Sequence, residues 1–284
     1  MRLQLLTIAA PVVCLISAFA QNTSPPGVIQ ITREVIKEGR ATAHEKTDID
    51  FPRALRKAKF PYHVVALNSM SGQNEVWFIF GYPSWADAEK GGQEFDKQPL
   101  KSDFEAQDAR DGEHRATART MWAVYRKDMS YHPDRANLAK TRNINIVSFR
   151  VRLGHIEDFT AGSKVFLGAQ EKANFQSPTL AYEVVAGAPA GLFLFLEPME
   201  SIKSLDEAPA RNRALVEAMG ADNFRQLLKG EGDVFVSIES DLFAVNPLFS
   251  YVSKEVEDAD PDFWRPKAPA KPAAESKPKE KTGQ

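Results

Sequence analysis

Short apolar runs recur along the chain, and longer polar segments with helical composition lie between them. The most apolar run, EVWFIFGY, covers Glu75–Tyr82, and a related run, GLFLFLE, covers Gly191–Glu197. Each run follows a glycine-containing turn and precedes a polar segment. Short runs rich in aromatic and branched residues are typical of buried β-strands. We therefore predict that the two runs are the same core strand in two copies of one unit.

In the first unit, the predicted order is strand, helix, strand, strand, helix, strand. The predicted strands are Val28–Ile36, Tyr62–Asn68, Glu75–Tyr82 and Arg119–Lys127. Helical composition covers Ala41–Lys59, where Pro52 begins a new turn or kinks the helix. A second helical segment follows Pro83 and extends to about Thr117. This order is that of the split βαβ, or ferredoxin-like, unit.

The same order repeats in the second half of the chain. The predicted strands are Asn143–Leu153, Thr179–Ala186, Gly191–Glu197 and Asp233–Asp241, and the predicted helices are His155–Ala173 and Met199–Gly230. Paired landmarks such as Ile29 and Ile144, or Gly39 and Gly154, lie about 115 residues apart throughout. A constant offset predicts an α+β fold of two tandem ferredoxin-like (βαββαβ) repeats.

The N-terminal segment 1–20 has the pattern of a secretory signal peptide. A short positive start, Met1-Arg2, precedes the apolar run Leu3–Ala18, and Ala18-Phe19-Ala20 forms a small-residue cleavage site. The alternatives are an uncleaved membrane anchor and a lipoprotein attached at Cys14. We expect an exported protein, periplasmic or secreted, with no transmembrane helix after cleavage. Cys14 is the only cysteine, so the mature chain would have no thiol.

Composition divides the rest of the chain into folded and unfolded parts. We predict a lead-in at 21–27, a first repeat at 28–135, a second repeat with a C-terminal packing segment at 136–264, and a disordered tail at 265–284. The tail, RPKAPAKPAAESKPKEKTGQ, is rich in proline, alanine and lysine and has little to bury. Its basic character would let it contact anionic surfaces; the simpler interpretation is a solvated tail.

Several function classes are disfavoured by composition and motifs. The formal net charge is −2, and no basic stripe with interleaved aromatic residues occurs, so nucleic-acid binding is not expected. None of the five histidines forms a pair at the spacing of a helical zinc site, and the sequence contains no phosphate-binding loop and no nucleophile elbow. We therefore predict no metal site and none of the common motif-bearing enzymes.

A tandem pair of these units resembles the dimeric α+β barrel superfamily over about Val28–Asp241, on element order and repeat spacing. Members include antibiotic-biosynthesis-type monooxygenases, haem-degrading enzymes and NIPSNAP-like proteins. The resemblance implies a pseudo-dimeric α+β barrel in which helices cover one face of each sheet. The other faces would meet and enclose a space that is filled or binds a ligand.

Two histidines are candidate catalytic residues. His63 lies on the second strand, near Trp77 on the third, and could act as a general base or an axial ligand. A partly exposed strand histidine with a local hydrogen bond is the simpler interpretation. In haem-degrading relatives, as the resemblance implies, a helix histidine ligates iron with help from an asparagine and a tryptophan. His44, Asn68 and Trp77 correspond to these only loosely.

Trp77, Tyr82 and Trp85 are candidate ligand-binding residues, although aromatic residues at strand spacing also form ordinary cores. We favour a non-enzymatic exported protein that binds a small apolar or amphipathic ligand between its sheets, or serves as a scaffold. No cofactor is predicted. The alternative is a cofactor-independent monooxygenase or a haem-handling enzyme. That alternative requires His63 and Trp77 to point into one open cavity.

Overall fold

The computed structural model describes residues 24–266, apart from the side chains of residues 226–231. The predicted signal peptide at 1–20, Cys14 and tail residues 267–284 lie outside the described residues. No helix within the described part is both long and apolar enough to cross a membrane.

The described chain contains eight strands, nine α-helices and three short 3₁₀ helices. The strands are β1 Val28–Ile36, β2 His63–Ser69, β3 Glu75–Tyr82, β4 Arg115–Tyr125, β5 Asn143–Val151, β6 Leu180–Ala186, β7 Leu192–Met199 and β8 Phe235–Tyr251. The helices are α1 Ala41–Asp48, α2 Asp50–Ala58, α3 Trp85–Phe95, α4 Leu100–Asp111, α5 Ile156–Lys172, α6 Ala208–Met219, α7 Ala221–Val234, α8 Lys254–Ala259 and α9 Pro261–Trp264.

The strands form one closed antiparallel barrel in the order β1-β3-β2-β8-β5-β7-β6-β4. Within each half the neighbours follow the same pattern, β4-β1-β3-β2 and β8-β5-β7-β6. The pairs β2–β8 and β4–β6 join the halves. Closure leaves no sheet-long open edge, which removes a common route to aggregation. The fold is therefore an α+β barrel of eight antiparallel strands.

The last strand is much longer than the sequence predicts. The prediction was Asp233–Asp241, whereas β8 covers Phe235–Tyr251. Its first part pairs with β5 and its second part pairs with β2, so this one strand spans both halves. Asn246-Pro247 is a turn-favouring pair, so the local sequence does not indicate that the strand continues through it. Proline is tolerated there because the β2 pairing is irregular between Val64 and Ala66.

The barrel interior is filled by side chains from all eight strands. The buried interior residues are Ile29, Ile31, Leu67, Trp77, Met121, Ala123, Ile144, Ile146, Tyr182, Val184, Leu194, Leu196, Phe243, Val245, Val252 and Trp264. Within this interior, the ring centres of Trp77 and Phe243 lie 5.0 Å apart. Large side chains projecting inward from all eight strands leave this space packed. The expectation of a ligand between the sheets is therefore corrected.

Helices cover the outer faces of the barrel in two separate layers. Helices α1–α4 pack on the first-half strands, where Phe51 and Leu55 of α2 contact Phe78 of β3 in one buried cluster. In the second half, Phe159 of α5 packs against Phe149 of β5 and other phenylalanines. The C-terminal segment also packs on the body, since Trp264 joins the interior cluster.

Candidate functional site

A buried group of charged residues lies between the first helical layer and the outer face of β1. It consists of Glu34 of β1, His44 and Asp48 of α1, and Asp111 of α4, and we call it the polar cluster. Each residue is at most 7% exposed. One potential ligand atom from each lies within 4.8 Å of the others. Charged side chains are rarely buried this completely unless they are paired or bind an ion.

Strand and helix periodicity bring these residues together. Along β1, Ile29 and Ile31 point into the barrel, so Glu34 points outward, towards the helices. His44 and Asp48 are one helical turn apart, so they share a face of α1. Asp111 is the last residue of α4, which packs against α1 and α2.

Asp111 contacts more polar side chains than the other carboxylates of the cluster do, namely those of His44, Thr47 and Arg115. Its Oδ1 lies 2.8 Å from His44 Nδ1 and accepts a hydrogen bond of 2.6 Å from the Thr47 hydroxyl. Arg115 Nε approaches Asp111 Oδ2 at 3.0 Å, and Arg115 Nη1 donates to Glu34 Oε1 at 2.6 Å. The arginine therefore holds two of the three carboxylates from one side.

The Asp48 carboxylate has a well-formed hydrogen bond at only one of its two oxygen atoms. Gln107 Nε2 donates to Asp48 Oδ1 at 2.9 Å. The other oxygen, Asp48 Oδ2, lies 3.0 Å from His44 Nε2. Both atoms are inaccessible to solvent, and neither makes a hydrogen bond of acceptable geometry. Two buried polar atoms thus face each other without a well-formed bond.

The electrostatic surroundings shift the pKa values in this cluster. Burial, reinforced by the Asp48 carboxylate, raises the pKa of Glu34 to about 7, although Arg115 opposes the shift. Burial also raises the pKa of Asp48. Burial alone would lower the pKa of His44, but its hydrogen bond to Asp111 and the nearby Asp48 carboxylate raise it to about 9. For Asp111, burial is outweighed by the bonds from His44 and Thr47, and its pKa is lowered.

Beside the polar cluster is a cavity of about 540 Å³ between the helices and the sheet, which we call the aromatic cleft. Its aromatic lining consists of Phe51, Phe60, Phe78, Phe80, Tyr82, Phe95, Phe104 and Trp122. Glu34 and Asp48 also line it, so two carboxyl groups of the cluster border the cavity. An apolar cavity with a few polar groups at one place can bind and orient a small molecule.

The equivalent place in the second half is apolar. Glu34 is the seventh residue of β1, and Phe149 is the seventh residue of β5. His44 is the fourth residue of α1, and Phe159 is the fourth residue of α5. The rings of Phe149 and Phe159 lie 5.5 Å apart and pack with Phe193, Phe195 and Phe235, a group we call the phenylalanine cluster. This helix–sheet interface therefore does not require charged residues.

The candidate ligand-binding residues are divided between two places. Tyr82 lines the aromatic cleft, and burial raises its pKa to about 12. Trp85, which is 49% exposed, lies 5.4 Å from the cleft residue Trp122 between ring centres. Trp77 is only 1% exposed and lies in the barrel interior, beneath the Arg33 guanidinium.

His63 does not share a cavity with Trp77. The His63 ring stacks on Tyr251 of β8, with ring centres 5.3 Å apart, and burial lowers its pKa. Trp77 instead contacts Phe243 and Arg33. The condition that the sequence analysis set for His63 and Trp77 as a catalytic pair is not met.

The residues around His44 do not fit a haem. Both ring nitrogens of His44 face carboxylates, Nδ1 towards Asp111 and Nε2 towards Asp48, at 2.8 and 3.0 Å. Asn68 is bonded to Asn246, and Trp77 is inside the barrel, so neither assists His44. A porphyrin would need an open imidazole nitrogen with an apolar plane beside it. The haem arrangement considered for His44 is therefore not assembled.

Sequence reasoning missed Glu34, Asp48, Asp111 and Arg115. The four-residue spacing of His44 and Asp48 was a usable signal, because it places an imidazole and a carboxylate on one helix face. The spacing of a helical zinc site applies to two histidines, so it does not identify a histidine–aspartate pair. Nothing local in the sequence connects these residues with Asp111.

No protein-family model matches this chain, and no curated protein matches it. Solved structures do match in fold. A protein provisionally assigned as a monooxygenase, from Fusobacterium nucleatum, is 11% identical, with a TM-score of 0.50, over 78% of this chain and 93% of its own. An anthrone oxidase-like protein is 10% identical, with a TM-score of 0.51, over 79% and 93%.

A chlorite dismutase mutant from Candidatus Nitrospira defluvii also matches, at 11% identity and a TM-score of 0.51, over 83% of this chain and 96% of its own. Identities this low show a shared fold alone. The chain shares the α+β barrel fold of these structures, so the predicted resemblance is confirmed at the level of the fold.

Proposed function

We propose that this protein binds a planar, largely apolar small molecule in the aromatic cleft. The observation that carries the proposal is the cleft itself. It is lined by eight aromatic residues and by the buried carboxyl groups of Glu34 and Asp48, and polar side chains such as Gln30, Thr32 and Thr120 complete the lining. Its volume of about 540 Å³ lies within the range of natural ligand sites. This retains the small-ligand hypothesis but moves the ligand from between the sheets to between sheet and helices.

The difference between the halves supports the proposal. Burying charged groups costs free energy, and replacing them by well-packed apolar residues is often neutral or stabilising. The second half has such apolar residues at the equivalent positions, Phe149 and Phe159. Stabilisation of the fold therefore does not explain the presence of Glu34 and His44. Residues that lower the stability of a protein are expected at its functional sites.

Oxygenation of the bound molecule is a second candidate function. It is favoured by the carboxyl groups of Glu34 and Asp48 on the cleft wall, and by two neighbours described as monooxygenase and anthrone oxidase-like. In the cofactor-independent form, a carboxylate accepts a proton from an activated methylene carbon of the substrate. Dioxygen then converts the methylene to a carbonyl, and its second oxygen atom leaves as water with the two hydrogens.

Binding can be tested with anthrone, a planar tricyclic ketone. Anthrone should quench tryptophan fluorescence, because Trp122 lines the cleft. Ala118 also lines the cleft and is exposed, so Ala118→Phe should obstruct the cavity and weaken binding at least about tenfold. Thr117→Phe, on the opposite face of the same strand, is the matched control. Equal affinity in the wild type and Ala118→Phe would contradict the proposal.

Oxidation is tested separately, by following conversion of anthrone to anthraquinone by absorbance. Glu34→Gln should retain anthrone binding but lower the rate by about 100-fold, because the amide cannot accept a proton. A wild-type protein that binds anthrone but does not accelerate its oxidation would leave ligand binding alone as the function.

We also propose that the two halves are diverged tandem ferredoxin-like repeats with the boundaries given above. The shared neighbour pattern, β4-β1-β3-β2 and β8-β5-β7-β6, supports this. Separately produced segments 28–135 and 136–264 should then associate into one barrel through the β2–β8 and β4–β6 pairs. Failure of both segments to fold, alone and together, would argue against two units.

We propose, finally, that the mature protein acts outside the cytoplasm, in the periplasm or the medium, with the basic tail near anionic surfaces. The support is the signal-like pattern of segment 1–20 and the composition of segment 265–284. N-terminal sequencing of protein from the exported fraction should begin at Gln21. Recovery of the intact N-terminus from the cytoplasm would contradict export.

A further inference from the structure

We infer that His44, Asp48 and Glu34 bind a divalent first-row transition-metal ion at the wall of the aromatic cleft. The inference goes beyond ligand binding in the cleft and does not depend on it. A carboxylate that binds the ion is not free to accept a proton from a substrate, so metal binding and cofactor-independent oxidation are alternative roles for Glu34. The inference replaces the expectation from the sequence that the chain has no metal site. Four potential ligand atoms, one each from Glu34, His44, Asp48 and Asp111, lie within 4.8 Å of one another.

The first observation is the pair of unsatisfied atoms. His44 Nε2 and Asp48 Oδ2 are 3.0 Å apart, within ion-pair distance, in side chains that are each 3% exposed, and neither makes a hydrogen bond of acceptable geometry. Buried polar atoms nearly always have a partner. Nitrogen and oxygen ligands bind such ions at about 2.0–2.2 Å. Two ligands of one ion can therefore approach each other to the separation seen here.

The second observation is the way His44 is held. Its Nδ1 lies 2.8 Å from Asp111 Oδ1, which is fixed in turn by the hydroxyl of Thr47 at 2.6 Å. A proton on Nδ1 then leaves the lone pair on Nε2, directed at Asp48. Histidines that bind metals commonly donate their other N–H to a carboxylate in this way. Asp111 is accordingly a positioning residue, and His44, Asp48 and Glu34 are the ligands.

Charge balance agrees with a dication. When all three are ionised, Glu34, Asp48 and Asp111 carry three negative charges in a buried space. Arg115, which also pairs with the half-exposed Asp108, offsets at most one of them, at 2.6 and 3.0 Å from Glu34 and Asp111. A divalent ion offsets the other two.

The types of ligand atom indicate which ions would bind, and the position of the ligands indicates that the ion would be accessible from the aromatic cleft. One imidazole with two carboxylates suits Mn²⁺, Fe²⁺, Co²⁺ or Zn²⁺, whereas a copper(I) site would need sulfur ligands. Glu34 and Asp48 both line the cleft, so the remaining coordination positions would face that cavity. Water or an oxygen atom of a cleft ligand could bind there.

The test uses the mature chain after removal of metals with a chelator, titrated with Co²⁺ and followed by visible absorption. We expect a single Co²⁺ ion per chain, with a spectrum typical of nitrogen and oxygen ligands. Asp48→Asn and His44→Gln should abolish this binding, and Asp111→Asn should weaken it by about 10–100-fold. His155→Gln is the matched control, because His155 forms an exposed pair with Asp158 at 2.8 Å.

A folding defect in a variant does not block the test. In the wild-type protein, Mn²⁺ at low occupancy should broaden the imidazole NMR signals of His44 and leave those of His155 unchanged. Absence of Co²⁺ binding in the wild type would overturn the inference, as would unchanged binding in folded Asp48→Asn. Ala118→Phe should still bind Co²⁺, so loss of anthrone binding and loss of metal binding are separate results.

Discussion

The two helix–sheet interfaces of this barrel occupy equivalent places but differ in chemistry. The first contains Glu34 and His44, and the second contains Phe149 and Phe159 at the same positions in strand and helix. The phenylalanine cluster is stabilised by apolar burial and edge-to-face ring contacts, which need no particular protonation state. The fold can therefore form with either charged or apolar residues at this interface. The charged residues of the first half are the ones that need a functional explanation.

Loss of one side chain has different consequences for stability in the polar cluster and in the phenylalanine cluster. Each buried charge needs a partner, so removal of one group leaves others uncompensated. Removal of one phenylalanine leaves a cavity, which neighbouring side chains partly fill. The first interface should therefore be sensitive to single changes in chemistry, and the second to changes in volume.

The largest effect is expected for Asp111→Ala. The change leaves His44, Thr47 and Arg115 without their shared partner. The free energy of unfolding should fall by about 3–5 kcal/mol, as for other broken buried pairs. Urea denaturation measures it. Asp222→Ala, whose side chain is 95% exposed beside Arg225, is the control and should change stability by less than about 0.5 kcal/mol.

Phe159→Ala should cost about 3 kcal/mol, because the ring is 7% exposed and contacts Phe149, Phe193, Phe195 and Phe235. Folded Phe159→Ala should bind anthrone and Co²⁺ as the wild type does, because the second interface takes no part in the site. A folded variant that had lost either ligand would show that the two interfaces are coupled.

Adjacent glycines of α3 give a finer test of cleft packing. A Cβ on Gly91 would lie 2.7 Å from Tyr82 Cε1, whereas a Cβ on Gly92 would meet nothing within 4 Å. Gly91→Ala should therefore destabilise the protein by about 1–3 kcal/mol and weaken anthrone binding by displacing Tyr82. Gly92→Ala should be neutral or stabilise the helix by up to about 1 kcal/mol. Thermal unfolding and anthrone titration of both variants check this contrast.

The smallest effect is expected for His63→Ala. The change removes the stacking on Tyr251 at the β2–β8 seam and should cost about 1 kcal/mol. Anthrone affinity should not change, because His63 does not line the aromatic cleft. A large loss of binding or oxidation in this variant would restore His63 as a functional residue.

Local patterns predicted the fold better than they predicted the site. The bounds of β1 and β3 follow directly from alternation and from the apolar run, because both strands are bordered by clear turns. Pro52 lies in the first turn of α2, where a missing N–H is tolerated. These features depend only on neighbouring residues.

The site depends on contacts between distant residues. His44 and Asp111 are separated by 67 positions, and Glu34 and Arg115 by 81. Each of these residues looks like an ordinary surface residue when its own segment is considered alone. Only the packing of α1 and α4 over β1 shows that they are buried together. The length of β8 was missed for a similar reason, because its second part is defined by pairing with β2.

Strand β8 has a thermodynamic consequence for the whole molecule. It belongs to both halves, since its ladder with β5 continues into its ladder with β2. Neither half can lose its place in the barrel without exposing backbone groups of the other. The helix–sheet interface with the polar cluster and the one with the phenylalanine cluster should therefore unfold in a single cooperative step. The stability of the phenylalanine cluster then helps to keep the less favourable polar cluster folded.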